Sequence, residues 1–143
     1  MIRGELTIGS DLTEVARARD WVSALAHQAG LSSQESYELQ LVLSEACTNS
    51  IKHAYFMEKG RIIKLSATLS NDQICIVVRD FGKKIDLLRN QRPNLETPPE
   101  NGYGLSIMYQ LMDEVRFNLS HSEGTELTLI RYGSMSKNYR HTS

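Results

Sequence analysis

Within the stretch SEACTNSIKHA, residues 44–54, Glu45, Asn49 and His53 recur every four residues. On an α-helix a step of four turns the side chain by only about 40°, so the three polar groups climb one side in consecutive turns. A carboxamide oxygen is a hard ligand suited to Mg²⁺, which otherwise keeps waters and phosphate oxygens. A carboxylate one turn away can orient a nucleophile or accept its proton. The same pair also reads as hydrogen-bonded residues at the boundary of a core. Zinc is poorly served by one histidine and an Asn. His53, a single imidazole, is assigned no chemistry.

Three further clusters follow. Asp80-Phe81-Gly82 closes an apolar strand; a carboxylate there can accept a hydrogen bond from a ligand amine, and Gly82 lets a ligand approach the backbone. The trio spells the D-F-G of protein kinases, but the chain has no H-R-D loop and no V-A-I-K strand, and it is too short for that fold. Asn101-Gly102-Tyr103-Gly104-Leu105 opens a helix, where amide N–H groups at the positive end can bind phosphate. Gly124-Thr125 enters the last strand with a hydroxyl able to reach into a pocket. Taken singly, the three are a turn, a loop-to-helix junction and a hairpin.

These groups need elements to position them. Ile2, Leu6 and Ile8 alternate with polar residues as a first strand. Asp11 with Glu14 forms a capping-box pattern before Leu12, Val15, Val22 and Leu25 at helical spacing, and Gly30 stops that helix. A second box, Ser32 with Glu35, opens the long helix whose apolar arc takes Leu39, Leu43, Ala46, Cys47, Ser50, Ile51 and Ala54. Strands at 61–69 and 73–79 are joined by the turn Ser70-Asn71-Asp72. Residues 82–101 hold all three prolines and read as a lid-sized loop. A helix from near Gly102, strands at about 115–119 and 125–132, and a polar tail complete the chain. The order β-α-α-β-β-loop-α-β-β predicts an α/β two-layer sandwich: a mixed, mainly antiparallel sheet with its helices packed on one face.

A chain of 143 residues with 41% hydrophobic and 23% charged residues is one domain able to bury a core. A net charge of −1 gives no footprint for nucleic acid or an anionic membrane. No apolar run approaches the roughly 20 residues needed to span a bilayer, and the start lacks a signal-peptide core. Cys47 and Cys75 sit in apolar stretches without C-x-x-C spacing, as small buried thiols in a reducing cytoplasm would.

In order, the chain reads E-x-x-x-N-x-x-x-H-A on a helix, D-x-G after a strand, a lid-sized gap, G-x-G-L opening a helix, then G-T before a strand. This resembles the ATP-binding fold shared by gyrase, heat-shock chaperone, histidine-kinase and mismatch-repair ATPases. Within that superfamily LSEACTNSIKHAY, VRDFGKKID and GYGLSIMYQLMDEV look like the small anti-sigma-factor serine kinases of bacteria, in order over roughly residues 5–132. The resemblance implies a histidine-kinase-like ATPase fold, with one domain over 1–132, an ATP lid at about 83–101 and a tail at 133–143. It implies that Asn49 coordinates Mg²⁺ on the triphosphate and that Glu45 acts as base or orienting group. Asp80 would take the adenine 6-amino group, supported by Thr125, with Gly82 allowing close approach of the base. Gly102, Gly104 and Leu105 would form the phosphate-binding helix start. Lys83, Lys84, Arg89 and Arg92 are the lid cations. Lys84 stands where many superfamily members carry a second glycine, and Ile85-Asp86 after it suits the anti-sigma branch.

The activity so implied is an ATP-dependent serine/threonine kinase that phosphorylates an anti-sigma antagonist and sequesters a sigma factor, as a homodimer in the bacterial cytoplasm. Two other outputs fit the same motifs: a nucleotide-binding regulator without kinase activity, and a stand-alone kinase of a non-sigma partner.

Overall fold

The computed structural model describes residues 1–86 and 105–133. Its elements run β1 (Ile2–Gly9), α1 (Val15–Gln28), α2 (Ser33–Asn49), β2 (Ile62–Leu69), β3 (Gln73–Arg79), α3 (Leu105–Leu111), β4 (Glu114–Asn118) and β5 (Glu126–Tyr132). A 3-10 turn, Leu12–Glu14, precedes α1, and a π-helical turn, Ser50–Ala54, continues α2.

Five strands form one sheet in the order β1-β2-β3-β5-β4, and every pairing is antiparallel. The mainly antiparallel sheet expected from the sequence is antiparallel throughout the described residues. Each neighbouring pair is joined by a hairpin or by a connection that reverses direction, so no parallel crossover arises. Register places Leu6 opposite Leu65, Leu65 opposite Val78, and Val78 opposite Leu127. Alternation then directs Ile8, Ile63, Leu69, Ile76 and Leu129 into one buried face, as the pattern in 61–69 predicts. The helices cover that face with Val22, Leu39, Leu43, Ile51 and Met108, all fully buried.

The second capping box forms as read. The Ser32 hydroxyl accepts from Glu35 N at 3.1 Å, and the Glu35 carboxylate takes Ser32 N at 3.2 Å. The first does not. Asp11 accepts from Thr13 N at 3.0 Å, while Glu14 reaches back to Gly9 N at 3.0 Å. This ties the end of β1 to the 3-10 turn, and the α-helix begins only at Val15. Among the described residues no helix is long and apolar enough to cross a membrane. Gly102, Gly104, Arg89, Arg92 and most of the lid lie outside the described residues, as does the tail after Gly133.

Candidate functional site

Between the end of α2 and the edge formed by β3 and β5 lies a cavity of about 190 Å³, whose walls include Asn49, Ser50, His53, Asp80, Lys83 and Thr125. The amphipathic pattern of α2 explains one wall. Ala46, Cys47, Ser50 and Ile51 are buried against the sheet, which leaves Asn49 and His53 half-buried on the flank facing the cavity. Glu45 is half-buried one turn before Asn49.

Asp80 forms the floor. It is 5% exposed and its carboxylate is held by three donors. Oδ1 accepts from Thr125 N at 3.1 Å and from Gly82 N at 3.3 Å, while Oδ2 accepts from the Ser50 hydroxyl at 2.9 Å. Asp80 N in turn donates to Thr125 O at 3.1 Å, so the strand ends of β3 and β5 are locked together at the point where the carboxylate emerges. A buried carboxylate is costly unless its oxygens are paired. Here both are paired by groups of the chain itself, and a carboxylate offers about four lone-pair sites. One acceptor position on Oδ2 is left for a donor in the cavity.

Two glycines allow this arrangement. Gly124 adopts φ +73°, and a Cβ there would lie 2.2 Å from Asp80 O. Gly82 is required for a different reason from the one read in the sequence: a Cβ on it would lie 2.3 Å from Ala54 O. The group that presses on Gly82 is thus the end of the π turn, where Lys83 N donates to Ala54 O at 2.9 Å. The Thr125 hydroxyl accepts from Ile85 N at 3.1 Å, so Thr125 braces the carboxylate through its amide and the first lid residues through its side chain.

A second brace comes from Tyr55, 3% exposed, whose hydroxyl donates to Ile62 O at 2.6 Å and accepts from Phe81 N at 2.7 Å. Burial pushes its phenol up, so it stays a donor at neutral pH. The Arg61 guanidinium lies 4.6 Å from the Tyr55 ring centroid and donates to Phe81 O at 3.0 Å. Of the lid cations, Lys83 sits 5.8 Å from the Phe56 ring centroid at the cavity mouth, and Lys84 donates to Leu119 O at 2.6 Å. Leu105 is 5% exposed in the core, where it seats the first described turn of α3. Cys47 is fully buried, and burial pushes its thiol up to about 12.

The structure therefore brings Asn49, Asp80 and Thr125 to one cavity, with Glu45 on the same helix. It adds three residues without an assigned role in the sequence reading. Ser50 counted as part of an apolar arc, although a serine among alanine-like positions was a signal that it has a partner. Tyr55 carried no signal. His53, to which the sequence assigns no chemistry, lines the cavity.

The model of the histidine kinase-like ATPase domain matches residues 8–131. The chain belongs to that family. It is 34% identical over 124 residues to an anti-sigma F factor of Anoxybacillus flavithermus, covering 84% of this chain and 85% of that protein. It is 31% identical over 137 residues to a serine-protein kinase RsbW of Bacillus cereus, covering 90% and 83% respectively. In fold it is similar to the RsbU and RsbW domains of a Mycobacterium tuberculosis protein, with a TM-score of 0.67 at 17% identity over 92% of this chain. This chain spans about a third of that larger one, 32%.

For a histidine kinase-like ATPase domain the residues present fit a nucleotide and its metal. The cavity has a buried carboxylate with one acceptor position open, and the Asn49 amide shares its wall. Among the described residues no three His, Cys, Asp or Glu side chains gather as a metal cluster. Mg²⁺ held largely by phosphates and water requires only one or two protein ligands.

Proposed function

We propose that this chain is an ATP-dependent serine/threonine kinase that phosphorylates an anti-sigma antagonist protein and also binds and silences a sigma factor. The observation that carries the nucleotide reading is Asp80: a buried carboxylate on a cavity floor, fixed by Ser50, Thr125 and Gly82, with one lone pair toward the cavity. An aromatic amine such as the adenine 6-amino group supplies the donor that this position lacks. The carbonyl of guanine supplies none, so Asp80 selects ATP over GTP. The similarity to an anti-sigma F factor and to a serine-protein kinase supports the output.

In this reading Asn49 holds Mg²⁺, and Gly102 and Gly104 place amides around the phosphates. Bound ATP·Mg²⁺ supplies the phosphoryl group and neutralises charge on it. The residues of the chain do the rest. Asp80, backed by Thr125, orients the base, and Ile85 N is pinned by the Thr125 hydroxyl so that the lid starts from a fixed point. Glu45, one turn from Asn49, orients the acceptor hydroxyl and takes its proton. Phosphoryl transfer asks mainly for such positioning and charge neutralisation. The protein works as a cytoplasmic homodimer in this account, which light scattering of the purified chain measures.

The test is transfer. Incubated with γ-labelled ATP, Mg²⁺ and a small antagonist domain, the chain should place acid-stable phosphate on a serine or threonine. A folded sample that binds ATP without transferring it contradicts the kinase reading, and acid-labile phosphate would indicate histidine as the acceptor.

A further inference from the structure

The helices cover one face of the sheet, so the alternate residues Lys64 and Ser66 of β2 and Val77 and Arg79 of β3 stand on the opposite, open face. Register sets Lys64 directly opposite Arg79. Like charges directly opposed across a strand pair repel. A surface serving only the fold would place a carboxylate at one of the two positions.

The neighbouring carboxylates do not answer these cations. Glu126 pairs with Arg79 in register from the β5 side, but its carboxylate goes to Asn118 Nδ2 at 3.5 Å and His121 Nε2 at 3.7 Å. Glu5 stands diagonal to Lys64, opposite Ser66. Among the described residues neither Lys64 nor Arg79 makes an ion pair with either of them or with any other carboxylate. Both turn to one aromatic ring instead. The Arg79 guanidinium lies 4.3 Å from the Phe81 ring centroid and donates to Asp80 O, and Lys64 Nζ lies 5.8 Å from the same centroid. Arg61 brings a third cation, donating to Phe81 O at 3.0 Å. A guanidinium stacked on a ring and tied at one nitrogen keeps its remaining N–H groups in a fixed direction, so less ordering is left for a ligand to impose.

We propose that Lys64, Arg79 and the Phe81 ring form a docking site for an acidic segment of a protein partner. A planar carboxylate matches the free edge of the Arg79 guanidinium with two parallel hydrogen bonds. An extended peptide puts alternate side chains on one side at about 7 Å spacing, so a second carboxylate can reach Lys64 while aliphatic stems lie on Phe81. Glu5 and Glu126 flank the platform, and the net charge of the chain is −1. A continuous phosphate backbone would be repelled there, whereas separate carboxylates can settle between the flanking acids. The site lies on the open sheet face, apart from the cavity into which the Asp80 carboxylate points, and the proposal stands whether or not the chain transfers phosphate.

The experiment titrates fluorescein-labelled hexaglutamate with the full chain by fluorescence anisotropy, with hexaglutamine as the neutral match, in about 50 mM NaCl. Hexaglutamate should bind and hexaglutamine should not, and about 500 mM NaCl should weaken binding at least about tenfold. Arg79→Gln should weaken it about tenfold and Lys64→Gln about threefold, while Arg19→Gln, an exposed cation on α1, should leave it unchanged. The amide resonances of Lys64, Arg79 and Phe81 should shift on binding. Lys64 is exposed and holds no hydrogen bond among the described residues, so Lys64→Gln should keep its urea midpoint and its ATP affinity. No binding of hexaglutamate, or equal binding by the Lys64 and Arg79 variants, overturns the proposal and leaves the ATP reading standing. Tighter binding of hexathymidylate than of hexaglutamate overturns it in favour of a nucleic-acid surface. A smaller particle in light scattering of Lys64→Gln overturns it in favour of a contact between copies of this chain.

Discussion

Replacing Asp80 with Asn separates holding the fold from reading the base. The amide oxygen of Asn can occupy the place of Oδ1 and keep both Thr125 N and Gly82 N. Its nitrogen then occupies the place of Oδ2 and donates to Ser50, whose hydroxyl can turn to accept. All three internal bonds survive in neutral form. They weaken, because charge-assisted bonds are roughly twice as strong, but the cost of burying a charge disappears, so Asp80→Asn should lose only about 1 kcal/mol. Asp80→Ala strands all three donors, two of them backbone amides, at about 1–3 kcal/mol each. A loss of about 3–9 kcal/mol takes much or all of the stability of an ordinary domain. For the ligand the order changes. Asp80→Asn faces the adenine amine with a donor, so a charge-assisted bond is lost and the amine is left unpaired. That should cost about 3–4 kcal/mol, or a few hundred-fold in ATP affinity. Urea unfolding and calorimetric titration measure the two quantities on the same samples. The reasoning fails if Asp80→Asn is as unstable as Asp80→Ala, or if it binds ATP within threefold of the unmodified chain.

Gly124→Ala would force a Cβ to 2.2 Å from Asp80 O at φ +73°. The left-handed backbone and the overlap together should cost about 2–4 kcal/mol in urea unfolding. Cys75, half-buried on the sheet, should react with a thiol reagent in the native state, whereas Cys47, held near 12 by burial, should react only on unfolding. The Gly9 amide, with lesser help from Arg17, holds the Glu14 carboxyl below its usual range. The stabilisation from Glu14 is thus present at neutral pH and lost as pH falls through that lowered value. A carboxyl titration by NMR should show this, with Gly9 amide protection falling in step; a Glu14 titrating as a free glutamate would contradict it.

Most of the scaffold was legible because its signals are local. Alternation in 61–69 and 73–79 set the buried face, and the Ser32–Glu35 box marked the start of α2, since both depend on residues close in sequence. The Asp11–Glu14 pattern misled because Glu14 has a better partner in Gly9, across the corner from β1. The site was legible in type and less so in mechanism. Asp80 and Thr125 line one cavity, and their link is an amide-to-carboxylate bond across 45 residues, which no spacing reveals. The sequence reads Gly82 as a position where a ligand approaches the backbone; the neighbour that the structure places against it is the Ala54 carbonyl of a π turn. An α-helical reading of 50–54 has no way to anticipate that turn, because its widened pattern depends on docking against Lys83 N and Tyr55. Ser50 was hidden by its burial, which a sequence reads as core.

The most direct measurement compares Glu45→Gln with the unmodified chain, following both ATP affinity and transfer of the γ-phosphoryl group to a serine of an antagonist domain. The substitution keeps the shape and polarity of a half-buried residue that lies outside the cavity wall. ATP affinity should stay within about twofold, and transfer should fall by at least about a hundredfold, as loss of a group that positions or deprotonates the nucleophile requires. Undiminished transfer by Glu45→Gln would remove Glu45 from the chemistry, and no transfer by the ATP-bound unmodified chain would contradict the account at its centre.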